Sequence, residues 1–104
     1  MDNSKIEEML SAILALNNLS EAKRFFRDLL TPAELEEFGN RWLAAQMLNA
    51  NVSYNTIVKK TRLSSTTVAR ISKWLKRGRG GYKLMLKRKG KHHTSSKSLE
   101  KGLG

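Results

Sequence analysis

Apolar residues recur at helical spacing along most of this chain, and nowhere do they alternate as a half-buried strand requires. Ile6, Met9, Leu10, Ile13, Leu14 and Leu16 mark one face of a first helix over about residues 5 to 17, with Ser4 and Glu7 spaced as a capping box. Asn17 and Asn18 end it. Ser20 can cap a second helix, whose apolar positions are Ala22, Phe25, Phe26, Leu29 and Leu30. The third helix has the sharpest start signal, with Thr31 as N-cap and Pro32 at the first helical position, where its missing N–H costs nothing. Glu34 can reach back to that cap, and Leu30 and Leu35 are spaced as a hydrophobic staple. Behind them Phe38, Trp42, Leu43, Ala45, Met47 and Leu48 form an apolar surface running to about Asn49, wider than one packed neighbour requires.

The pattern then shortens. Ser53 can cap a helix holding Ile57 and Val58, and Ser64 can cap another whose inner positions are Val68, Ile71, Trp74 and Leu75; only Thr61-Arg62-Leu63 lies between them. Lys76 to Gly81 breaks regular structure, and Tyr82, Met85 and Leu86 predict one last short helix. From Gly90 onward the chain is Lys, His, Ser, Thr and Gly with almost no apolar residues, the composition of a disordered tail. The whole reads as an all-α protein of about six helices in three regions: an N-terminal helical region over 1–52, a helical pair with a final short helix over 53–89, and a basic tail over 90–104.

A chain of 104 residues suits one functional unit. Without cysteine there are no disulfides, thiolate metal sites or cysteine nucleophiles, and the composition suits a reducing compartment such as the cytoplasm. No apolar run approaches the roughly 20 residues of a membrane span. Asp2, Glu7 and Glu8 around the first apolar residues lack the order of a secretion signal.

Charge changes the picture more. Up to Ala50 there are 5 basic and 8 acidic residues, a balance of −3; from Asn51 there are 15 basic residues and one acid, Glu100, a balance of +14. A polyanion is the natural partner for such a region, because bound phosphates neutralise it and release counterions. The +14 half also contains the two short helices separated by a tight turn, the arrangement of a helix-turn-helix. Ile57, Val58, Leu63, Val68 and Ile71 would share a small core, leaving Ser65, Thr66, Ala69, Arg70 and Lys73 on the opposite face. Small and hydroxylated residues allow close approach to base edges, so Ser65, Thr66, Ala69 and Arg70 are the candidate base readers. Tyr54, Asn55, Ser64, Lys73, Lys76, Arg77 and Arg79 are candidates for the DNA backbone. One feature departs from the common pattern: the turn often holds glycine, and Arg62 stands there at a cost of about 1 kcal/mol.

Leu30-Thr31-Pro32-Ala33-Glu34-Leu35, then Gly39 and Arg41, then Ser53-Tyr54 with Ile57, and then Ser64-Ser65-Thr66-Thr67-Val68-Ala69-Arg70 follow one another in a recognisable order. Over about residues 5 to 88 the chain resembles the Trp repressor superfamily, and with Gly80-Gly81-Tyr82 it is similar in particular to the Trp-repressor-like regulators of Gram-positive bacteria. The resemblance implies a Trp-repressor-like intertwined homodimer, operator DNA as partner, and half-sites about one helical turn, ~34 Å, apart. Thr31, Arg41 and Arg70 match residues of the family's tryptophan pocket and are the candidate effector-pocket residues. Ile71 and Trp74 stand where the tryptophan-binding members have glycine and serine, adding bulk where a ligand needs space. The expectation is a pocket closed by Trp74 and Ile71, DNA binding without tryptophan as corepressor, and the question of any other small-molecule effector left open. Arg41 could equally pair with Glu37 at helical spacing, and Arg70 could clamp the DNA backbone.

No catalytic constellation is visible, and no cofactor motif; the Gly-rich segment over 76–81 lacks both P-loop spacing and a preceding strand. His92 and His93 lack further ligands for a metal. The sequence therefore reads as a DNA-binding transcriptional regulator, a repressor by family, rather than an enzyme. The alternative is a basic RNA-binding or ribosome-associated protein. It is weakened by the scarcity of aromatic platforms in the basic half, where Tyr54 and Tyr82 are the only ones besides Trp74.

Overall fold

The computed structural model describes residues 3–96, with side chains through Lys89. Six helices and no strand occur among them: α1 (Ser4–Leu14), α2 (Leu19–Leu29), α3 (Pro32–Asn49), α4 (Tyr54–Thr61), α5 (Ser65–Arg77) and α6 (Gly81–Ser96). The all-α expectation is met, and the differences lie at the helix ends.

The chain divides into two compact units, Met1–Glu36 and Glu37–Gly104, with the division falling inside α3. In the first unit, α1 begins after Asn3, whose side chain makes no cap hydrogen bond, and Ser4, the expected cap, is its first helical residue. The helix closes at Leu14 because the amides of Ala15 and Leu16 donate to carbonyls only three residues back, tightening the last turn. The second helix is capped two residues before the expected position. Asn18 accepts the amide of Glu21, and Glu21 Oε1 accepts the amide of Asn17, each at 2.9 Å, so Ser20 lies inside the helix. Phe25 and Phe26 meet edge to face at 5.8 Å. Neither α1 nor α2 buries any residue fully; Leu14 is 85% exposed and Leu19 71%.

The start of α3 is the expected one: the amide of Thr31 donates to Glu34 Oε1 at 2.9 Å, and the amide of Glu34 to Thr31 Oγ1 at 3.1 Å. Its end is equally well made. Asn51 turns left-handed at φ 62°, the amide of Val52 reaches Met47 O at 3.0 Å, and that of Asn51 reaches Leu48 O at 3.0 Å.

The core belongs to the second unit. Ala44 and Ala45 of α3, Ile57 of α4, Leu63 of the turn, and Val68 and Ile71 of α5 form one buried cluster, with Trp42, Met47, Leu48, Val52, Val58 and Tyr82 packed against it. Alanines at the centre let neighbouring helices approach closely. Trp74 is a correction to the expected interior, being 43% exposed. At 100° per residue, the buried arc of Val68, Ile71 and Ser72 leaves Trp74 on its flank, while Ser72, polar and unremarked in the pattern, lies inside. The last helix is longer than expected and continues to Ser96, so the segment read as a tail from Gly90 starts out helical; lysine is a good helix former, and a helix once nucleated extends cheaply. Residues 97–104 of that tail lie outside the described residues. None of the described helices is long and apolar enough to cross a membrane.

Candidate nucleic-acid interface

The helical pair α4–α5 is built by two copies of one local device. Ser53 accepts the amide of Thr56 at 3.3 Å and donates its hydroxyl to Thr56 Oγ1 at 2.9 Å. Ser64 does the same for Thr67, at 3.0 Å in both bonds. Each helix thus begins where a serine satisfies one of the amides that the first turn leaves without an intrahelical partner.

Between them the turn is closed from inside. Arg62 adopts the left-handed conformation expected of that position, at φ 61°, and its amide donates to Val58 O at 2.8 Å. Thr61, read from sequence only as part of the turn, is buried: its hydroxyl donates to Ile57 O at 2.8 Å and accepts the amide of Leu63 at 3.2 Å. A buried amide left without a partner would cost about 1–3 kcal/mol, so Thr61 secures the corner. The missed signal was a hydroxyl at the last position of a helix, where it can bond back to the carbonyl four residues earlier.

The resulting α5 is sharply two-sided. Val68 and Ile71 are wholly buried, whereas Ser65, Thr66, Ala69, Arg70 and Lys73 are all exposed on the other side, together with Ser64 at the helix start. Tyr54 and Asn55 stand exposed on the first turn of α4. Lys76, Arg77 and Arg79 are exposed at the far end of α5 and beyond it, about 20 Å from Ser65 by the rise of a 13-residue helix. The break after α5 depends on glycine. A Cβ on Gly78 would collide with the carbonyl oxygen of Trp74, which accepts the Gly78 amide at 2.8 Å, and Gly80 has φ +91°.

Two of the residues read as an effector pocket have local partners. Arg41 is paired with Glu37 at 2.9 Å, as the helical spacing allows; Thr31 caps α3, and Arg70 faces outward. Ile71 is sealed in the core. Trp74 instead lines an open, mostly apolar cleft of about 740 Å³ with Trp42, Tyr82, Met85, Arg77 and Arg79, in which the Trp42 and Tyr82 rings stack at 6.5 Å. Among the described residues no cluster of three metal-ligating side chains occurs, and the side chains of His92 and His93 lie outside them.

With this geometry in view, the likeness to known proteins is direct. The family model of the Trp repressor protein matches residues 4–90. The chain belongs to the Trp repressor family. It is 32% identical to the uncharacterized protein YerC of Bacillus subtilis (strain 168) over 94 residues, spanning 90% of each chain. Among solved structures it is similar to a TrpR like protein from Eubacterium eligens ATCC 27750, with a TM-score of 0.79 and 34% identity over 84% of this chain and 90% of that one. A Staphylococcus aureus protein follows at a TM-score of 0.77 and 30% identity, covering 86% of this chain and 95% of the other. The Trp repressor family is one of DNA-binding regulators, and the six-helix fold anticipated from periodicity is the family's.

Proposed function

We propose that this protein is a sequence-specific transcriptional repressor that binds operator DNA as a homodimer and does so without tryptophan as corepressor. The observation that carries this reading is the division of α5: its inner side is fixed in the core while Ser65, Thr66, Ala69 and Arg70 present an uncommitted, close-approach surface. Ser64, Tyr54, Asn55, Lys73, Lys76, Arg77 and Arg79 supply contacts to phosphates around it. Residues 1–52 serve dimerisation and 53–89 DNA binding. The dimer is supported by two apolar surfaces that the single chain leaves open, one on α1 and α2 and one in the cleft at Trp42, Trp74 and Tyr82. Independence from tryptophan is supported by the buried Ile71 and by the ion pair that already engages Arg41. A regulator of this kind acts where chromosomal DNA is, in the cytoplasm.

Selection of bound duplexes from a random pool tests the central claim. A palindromic consensus with half-sites about 34 Å apart is expected; a pool that emerges as random as it entered would rule out sequence-specific binding. Within that consensus, Thr66→Ala should relax preference by about 1–3 kcal/mol at one base pair, whereas neutralising Lys76 and Arg77 should weaken all sequences alike. Titration calorimetry with tryptophan should give no stoichiometric heat, and micromolar binding would refute independence from tryptophan.

A further inference from the structure

The most basic element of the described structure is not the reading helix but α6, and the reading head has no use for it. Lys83, Lys87, Arg88 and Lys89 are all exposed on this helix, while Leu86 is buried and Tyr82 is packed against the core and stacked on Trp42. At 100° per residue, Tyr82 and Leu86 share the inner face, and Lys83, Lys87 and Arg88 spread over the outer half. The cations are therefore carried on an anchored scaffold rather than on a loose tail. No carboxylate side chain occurs anywhere in the sequence between Glu37 and Glu100, so this helix has no internal counter-charge within its own stretch of chain. Lys83 and Lys87, four residues apart on one face, repel one another, and a bound polyanion is what turns such repulsion into attraction.

We infer that the outer face of α6 is a second DNA-contacting surface, one that holds duplex phosphates without regard to sequence. It goes beyond the reading-head assignment, because α6 starts at the opposite end of the roughly 20 Å long α5 from Ser65 and Thr66. Its contacts add to those of the reading head and fall on DNA that the base-reading residues do not touch. Duplex DNA, with one charge per ~1.7 Å of axis, suits a spread of cations along a helix face better than a compact anion does. Long side chains with strongly hydrated ammonium groups also suit phosphate as point charges and read no base edge.

The test uses the full chain and a fluorescent duplex of arbitrary sequence, with affinity followed by anisotropy across a salt series. Replacing Lys83, Lys87 and Arg88 together by Gln should flatten the slope of log K against log salt by about 2 to 3, since each lost phosphate contact is worth about 0.9 in that slope. A second variant with Lys83 and Lys87 changed to Arg keeps the charge and should behave as the parent does. Preference for a selected operator over arbitrary duplex should be the same in all three proteins. An unchanged slope in the Gln variant, or a slope loss shared by the Arg variant, would overturn the assignment; so would a loss confined to RNA. If the parent selects no consensus while the Gln variant still flattens the salt slope, the sequence-specific reading falls and the α6 surface stands. If the Gln variant alone keeps the parent's slope while selecting the same operator, the reverse holds.

Discussion

Two stretches of one chain solve the problem of burying apolar surface in opposite ways. In Glu37–Gly104 short helices and a tight turn enclose a cluster in which Ala44, Ala45, Ile57, Val68 and Ile71 are wholly buried. In Met1–Glu36 the helices α1 and α2 are at least as amphipathic to the eye, yet bury nothing completely, and Ile6, Leu10, Leu14 and Leu19 remain open. Helical periodicity alone says only which residues want cover. Whether the cover comes from the same chain depends on how many elements can reach the site. The charge follows the same split, since the acidic excess lies in the unit that buries nothing fully and the cationic excess in the unit that holds the core.

That contrast can be broken in graded steps. The largest effect should come from Ile71→Ala, which removes a wholly buried side chain of α5 and should lower the free energy of unfolding by about 2–5 kcal/mol, read by urea denaturation. An equally large exposed apolar residue of the first unit should behave differently. Leu14→Asp should leave the fold intact by circular dichroism and weaken self-association at least tenfold, about 1.4 kcal/mol, by analytical ultracentrifugation. A sedimentation profile insensitive to that change would mean the α1 surface is not an interface. The smallest effect is a gain: Arg62→Gly relieves a left-handed residue and should raise stability by about 0.5–1 kcal/mol, seen as a higher melting temperature.

Much of this was legible in the residues themselves. Caps at Thr31, Ser53 and Ser64 announced α3, α4 and α5 because a hydroxyl three positions ahead of a free amide is a local device, indifferent to the rest of the fold. The inner positions Ile57, Leu63, Val68 and Ile71 were legible because large apolar residues dominate any periodicity. Ala44 escaped notice for the converse reason: a methyl group contributes little to a pattern yet can sit at the centre of close packing. At Asn18 two cap-forming residues stood two positions apart, and the choice fell to the one whose partner, Glu21, could reciprocate. Trp74 was misplaced because its size argues for burial while its angle on the helix argues for the flank, and the angle won. In the candidate interface the exposed face of α5 was legible and the buried hydroxyl of Thr61 was not, since a polar residue in a turn looks the same whether it bonds to water or to the chain.

That threonine has a consequence for how fast the protein can work. With its hydroxyl linking α4 to the first amide beyond Arg62, the crossing of the two helices is settled in the core before any duplex arrives. Nothing at the corner has to order on contact, so little of the encounter's driving force is diverted into shaping the receiver. For the proposed operator reader, recognition then becomes a matter of sliding a finished edge along a groove until the bases agree with it.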